Sequence, residues 1–136
     1  MWNDLEEYIL KLAIENSKET GRKTKIVEIG AGKFQTISKN LSANENIDIL
    51  MTDINPANEN IIKDDVFKPD MSIYEGADIL FSIRPPAELQ EAIMKIRDKV
   101  NATLIIKPLY NEDLNMKTQK MKLKNYNRAS FYIYEK

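Results

Sequence analysis

Lys25-Ile26-Val27-Glu28-Ile29-Gly30-Ala31-Gly32 is a β-branched run that reaches an acid and then opens on two glycines one residue apart. Asp53 closes the next apolar run, about one βαβ unit later. Glycines at such a turn let backbone approach a ligand where any Cβ would clash. An acid at the following strand end is placed to accept hydrogen bonds from ribose hydroxyls. Together the two features predict a nucleotide-type cofactor site. The bland alternative is an ordinary strand-to-helix turn, with Asp53 as a turn former before Asn55-Pro56.

Outward from that stretch, strands and helices alternate. Asn3-Asp4-Leu5-Glu6 reads as an N-cap with its capping-box acid. Leu5, Ile9, Leu12 and Ala13 then recur at helical spacing to about Ser17, and Gly21 marks the end. Thr24 to Ile29 is apolar enough for a strand buried on both faces, as in a parallel sheet. Phe34, Ile37 and Leu41 predict one apolar stripe on the next helix. Ile47 to Thr52 is a second strand, followed by the turn Asp53-Ile54-Asn55-Pro56. Ile61-Ile62 begins a short third strand that ends before Asp64-Asp65. Asp70 to Glu75 holds one helical turn, closed by Gly76. Asp78 to Ile83 is a fourth strand. Pro85-Pro86 suits a helix start, and Leu89, Ile93, Ile96 and Val100 supply its stripe. Ala102 to Ile106 is a fifth strand, stopped by Pro108, and Asn111 caps a short helix. Met121 to Tyr126 and Ser130 to Tyr134 pair through a tight Asn/Arg turn.

This alternation predicts an α/β fold, a Rossmann-like doubly wound and mostly parallel sheet with a C-terminal antiparallel hairpin. Residues 1–136 are read as a single domain, since that length fits one core. Ligands of such sheets bind at the carboxyl ends of the strands. Gly30, Asp53, Asp65, Arg84 and Lys107-Pro108 are therefore expected on one rim.

Charged residues make up 30% of the chain and apolar ones 43%, the composition of a globular protein. Twenty basic residues meet 21 acidic ones, for a net charge of -1, which does not suggest a dedicated nucleic-acid binder. The charge is uneven, with seven basic residues against three acidic from Lys107 onward. That basic third could meet RNA or a phosphorylated metabolite, or be a solvated face. With neither cysteine nor histidine, disulfides, zinc sites and Cys nucleophiles are excluded, and no metal site is expected. No signal peptide or long apolar run is visible, so the expected location is cytoplasmic, with no membrane contact.

Three motifs carry the chemistry. Glu28 would face the ammonium of a cationic ligand, which tilts the glycine loop toward S-adenosylmethionine rather than NAD. A third glycine would be expected at position 34 or 35, where Phe34 and Gln35 stand; this weakens NAD more. In Asp64-Asp65-Val66-Phe67 one carboxylate, Asp65 by preference, could accept from an adenine amino group. In Ser82-Ile83-Arg84-Pro85-Pro86, an amino-methylating enzyme of this fold would carry Asn or Asp before Pro-Pro. Arg84 has donors only, so it suits a carboxylate or phosphate, with Pro85 and Pro86 beside it as a substrate or anion anchor. Its alternative is a salt bridge to Asp78 or Glu88. Trp2, Tyr8, Phe131, Tyr132 and Tyr134 read as packing.

Val-Glu-Ile-Gly-Ala-Gly, Thr-Asp-Ile-Asn-Pro, Asp-Asp-Val-Phe-Lys-Pro, Ser-Ile-Tyr-Glu-Gly-Ala-Asp, Ser-Ile-Arg-Pro-Pro-Ala-Glu-Leu and Ile-Ile-Lys-Pro-Leu together resemble a small uncharacterised archaeal protein family. Its fold is similar to that of class I S-adenosylmethionine-dependent methyltransferases, and the resemblance runs from about Leu5 to Tyr134. It implies Glu28, Gly30 and Gly32 as the cofactor loop, Asp53 with Ile54 at the ribose, and Asp65 at the adenine. The expected function is a methyltransferase-like domain that binds S-adenosylmethionine and transfers its methyl group to an unknown acceptor. Tyr110, Glu112 and Asp113 are the candidate bases. The chain has no room for the usual substrate-recognition insert, so a small substrate, self-association or a protein or RNA partner is expected. The second reading is a non-catalytic adenosyl-nucleotide-binding module or subunit; the third is an NAD-dependent oxidoreductase.

Overall fold

The computed structural model describes residues 2–108 and 121–136, apart from the Trp2 side chain. The elements run α1 (Trp2–Thr20), β1 (Thr24–Ile29), α2 (Thr36–Ser42), β2 (Ile47–Asp53), β3 (Ile62–Lys63), α3 (Met71–Tyr74), β4 (Ile79–Ile83), α4 (Ala87–Val100), β5 (Thr103–Lys107), β6 (Lys122–Tyr126) and β7 (Ala129–Tyr134). The seven described strands form one sheet in the order β3-β2-β1-β4-β5-β7-β6. β1 pairs in parallel with both β2 and β4, and β5 in parallel with β4. β7 is antiparallel to β5 and to β6. The expected doubly wound sheet with a closing hairpin is therefore the fold, and its winding reverses between β1 and β4.

Strand periodicity divides the core in two. Ile26, Phe81, Ile105 and Phe131 face the layer of α1 and α2, where Leu5, Ile9, Ala13, Ile37 and Leu41 are buried. Val27, Leu80, Leu104 and Ile106 face α3 and α4, with Tyr74, Ile93 and Ile96. Central strands covered on both sides bury nearly every position, hence their largely apolar runs, broken by buried polar residues such as Glu28 and Ser82. Tyr8 stacks obliquely on Phe131 at 4.9 Å and on Tyr126 at 5.3 Å, which locks the hairpin onto α1.

Several expected boundaries shift. α1 begins at Trp2, so Asn3 lies inside the helix and does not cap it. α1 continues to Thr20 because Gly21 is where the chain turns left-handed, its N–H donating to the Ser17 carbonyl at 2.9 Å. Phe34 is not on a helix: α2 begins at Thr36, and Phe34 stands 72% exposed. The buried Gln35 side chain donates to the Gly32 carbonyl and holds a loop there instead. Asp70 caps α3 by accepting from the Ser72 N–H. Among the described residues no helix is long and apolar enough to cross a membrane.

Candidate functional site

A cleft of about 450 Å³ opens over the carboxyl ends of β1, β2 and β4. The strand ends contribute Ile29, Gly30, Thr52, Asp53 and Ser82 to its wall, and α4 contributes Leu89 and Ile93. Its size is within the range of small-molecule sites. Gly30 turns out of β1 at φ +72°, and Gly32 lies at φ +59°. A Cβ on Gly30 would meet only Ser82 Oγ at 3.8 Å, an ordinary contact, so the backbone angle and not crowding selects glycine. The Gly30 and Ala31 N–H groups both donate to the Thr52 carbonyl at 2.9 Å, which binds the loop to the end of β2.

Asp53 joins the two strand ends chemically. One carboxylate oxygen accepts from the Gly32 N–H at 2.8 Å and the other from the Asn55 N–H at 2.8 Å. A carboxylate has about four acceptor positions, so two remain for a ligand. Ile54, next to it, is 49% exposed at the cleft mouth.

Glu28 is elsewhere. It points to the helix face with Ile26, is 1% exposed, and accepts from Ser38 Oγ of α2 at 2.5 Å. It lines neither cleft at this rim. The expectation that it faces a ligand's ammonium is corrected: strand alternation turns it beneath the loop. Burial pushes its carboxyl up to about 7, partly opposed by the Ser38 hydrogen bond.

Asp64 and Asp65 both reach the cleft, with Val66 and Phe67. Asp64 is structural: it accepts from the Tyr74 hydroxyl at 2.6 Å and from the Asp70 N–H at 2.9 Å. Asp65 accepts only the Phe67 N–H at 2.9 Å among the described residues, which leaves its second oxygen for a ligand.

Arg84, Pro85 and Pro86 form the wall after β4. Arg84 has φ +56°, and its N–H donates to the Lys107 carbonyl at 2.6 Å. Its expected alternative partner Asp78 lies at the opposite end of β4, gripped by both guanidinium nitrogens of Arg22 at 2.9 and 2.7 Å. That pairing with Arg84 is therefore absent. Burial, and then the Arg84 charge, lower the Lys107 ammonium below the ordinary lysine range. A second cleft of about 240 Å³ adjoins the first, sharing Gly30 and Arg84 and adding Lys33, Phe34, Thr36 and Ile83.

The structure thus brings Gly30, Asp53, Ile54, Asp65, Arg84, Pro85 and Pro86 to one rim, with Gly32 tied to Asp53 behind it. Sequence reasoning missed Thr52, Tyr74 and Ser82, although all three lie in motifs it singled out. The candidate bases Tyr110, Glu112 and Asp113, and Asn111, lie outside the described residues.

The model of an uncharacterised protein family (UPF0146) matches residues 4–136. A UPF0146 protein from Methanothermobacter thermautotrophicus is 44% identical over 134 residues, covering 98% of this chain and 95% of the relative. The UPF0146 protein MJ0688 of Methanocaldococcus jannaschii is 41% identical over 138 residues, covering 96% and 93%. Among solved structures, the bifunctional kinase-methyltransferase WbdD superposes with a TM-score of 0.67 at 12% identity, over 99% of this chain. This chain spans only 40% of WbdD. MtNAS in complex with MTA and tNA gives 0.53 at 13% identity, over 94% of this chain and 61% of that one. The antibiotic-resistance methyltransferase Kmr gives 0.54 at 11% identity, over 88% and 90%. These likenesses show the Rossmann-like fold of S-adenosylmethionine-dependent methyltransferases.

Proposed function

The chain belongs to the uncharacterised protein family UPF0146, and from that premise we propose that its larger cleft binds S-adenosylmethionine for transfer of the methyl group. The observation that carries this is Asp53, a carboxylate held on the cleft wall by the Gly32 N–H and still able to accept. The residues present fit the cofactor. Asp53 would take the ribose hydroxyls, and Asp65 the adenine amino group. Ile54, Val66, Leu89 and Ile93 would enclose the base in apolar surface. When bound, S-adenosylmethionine supplies an electrophilic methyl on a sulfonium. The chain's share is then alignment and exclusion of water, which needs neither histidine nor cysteine. MtNAS, which shares the fold, is known in complex with MTA, and a mutant of it in complex with S-adenosylmethionine; this supports an adenosyl ligand here.

Calorimetric titration of S-adenosylmethionine into the wild type and Asp53→Ala tests the proposal. Dissociation constants on the order of micromolar are expected for the wild type, weakened by about fivefold to a hundredfold in the variant, since lost bonds to two hydroxyls amount to about 1–3 kcal/mol. No binding by the wild type, or tighter binding of NAD than of S-adenosylhomocysteine, would sink it. A non-catalytic binding module is the second reading. Arg84 favours it, because a group that only donates cannot accept a proton or hydrogen bond from an amine acceptor. Labelled methyl transfer by the purified chain would exclude that reading.

A further inference from the structure

The two clefts differ in charge. The larger is lined by Asp53, Asp64, Asp65 and Arg84. Among the described residues the smaller has no acid in its lining; its described charged groups are Lys33 and Arg84, and Thr36 adds a hydroxyl. Arg84 stands where the clefts meet, and its backbone is strained to be there. Only three described residues other than glycine have positive φ: Arg84, Asn101 and Asn127. Asparagine tolerates that region, as at the end of α4 and in the hairpin turn, whereas arginine has no such local reason. The hydrogen bond from its N–H to Lys107 fixes the residue. Arg84 and Lys107 are thereby set close enough at adjacent strand ends to act on each other's charge. Like charges gathered beside a cleft whose described lining holds no acid make a field that favours an anion.

We infer that the smaller cleft binds the carboxylate or phosphate group of a ligand, with Arg84 as its principal contact and Lys33 and Lys107 reinforcing the field. A guanidinium meets either group through two parallel N–H donors. This deepens the reading of the larger cleft and rests on it for what the anion belongs to. It is either the amino-acid carboxylate of the cofactor or an anionic methyl acceptor.

Calorimetry with three probes separates these cases: S-adenosylhomocysteine, methylthioadenosine, which lacks the amino-acid part, and inorganic phosphate. Arg84→Gln should weaken methylthioadenosine binding far less than it weakens the anionic probe, and an unchanged circular dichroism spectrum shows that the variant folds. The variant should weaken one anionic probe at least tenfold, with Arg84→Lys in between. Loss confined to S-adenosylhomocysteine assigns the anion to the cofactor. Loss of phosphate binding to the methylthioadenosine-saturated protein assigns it to a separate acceptor. If the wild type binds neither S-adenosylhomocysteine nor methylthioadenosine, the cofactor reading fails alone; phosphate binding lost in Arg84→Gln would still support the anion site. Should Arg84→Gln not fold, Lys107→Gln is expected to weaken the same probe severalfold. Equal binding of both anions by wild type and variants overturns the inference. So does an absence of phosphate binding with S-adenosylhomocysteine bound no tighter than methylthioadenosine.

Discussion

A carboxyl group sealed from water holds its proton, and Glu28 does so up to about pH 7 because burial disfavours its charge. Unfolded, it titrates near its ordinary value of 4.5. Between those values the native state binds more protons than the unfolded chain, so stability falls as pH rises. The contribution is fully present below about pH 4.5 and lost by pH above 7, a change of about 3 kcal/mol. Glu28→Gln keeps an acceptor for Ser38 and removes the titration. Urea unfolding at pH 5 and pH 8 should show the wild type losing stability relative to the variant at the higher pH; parallel curves would place the charge elsewhere. The role first read for Glu28 failed on geometry that was legible. Ile26 and Glu28 are two apart on a strand and share a face, and Ile26 is core. Asp53 was legible for the converse reason. It ends its apolar run, so its carboxylate leaves the sheet at the rim whichever face it starts from.

The segment from β3 to α3 is the weakest-held element of the cleft. β3 has two residues, both exposed, and α3 is four residues long, too short to be stable alone. What fixes the segment is Asp64, whose N–H donates to the Asp53 carbonyl at 3.1 Å and whose carboxylate binds Asp70 and Tyr74. Tyr74→Phe deletes a hydrogen bond to a charged acceptor and is expected to destabilise by about 2 kcal/mol. It should also weaken an adenosyl ligand several-fold, because Asp65 and Val66 ride on the same segment. Chemical denaturation and ligand titration of the variant check both effects; loss of stability with unchanged affinity would detach Asp64 from the site. Sequence signals read these elements unevenly. β1 was legible to the residue because burial on both faces gives it the apolar run Ile26-Val27 and Ile29, which stops at Gly30. The start of α1 was misread because Asn3 and Glu6 have capping spacing, a motif that marks a boundary only where the preceding residue is not helical. The smaller cleft had no local signal. It exists because the loop at Gly32 and Gln35 swings Lys33 and Phe34 toward Arg84, some fifty positions away in the sequence.

Across the whole molecule, the order β3-β2-β1-β4-β5-β7-β6 decides what a ligand can couple. β1 sits between β2 and β4, so connections to its two neighbours leave on opposite faces and a crevice opens at their ends. A ligand filling it would touch four segments distant in sequence: the glycine loop, the turn after β2, the segment after β3 and the stretch from Ser82 into α4. The hairpin β6–β7 lies at the far edge of the sheet, anchored to α1 through Tyr8 and to α4 through Arg97, which lies over the Tyr134 ring at 3.8 Å. Binding should therefore be felt locally and unevenly. At a ligand concentration a hundred times the dissociation constant, stabilisation of about 2.7 kcal/mol follows from mass action. Amide hydrogen exchange with S-adenosylhomocysteine should slow at Gly30 to Gly32, Asp53 to Asn55 and Asp64 to Phe67 together. The hairpin, outside the crevice, should keep its local exchange rates. Protection at the first two segments without the third would leave the adenine contact at Asp65 unsupported. Protection centred on the hairpin would move the site off the crevice and with it the cofactor reading, because the carboxylate that carries that reading is on β2.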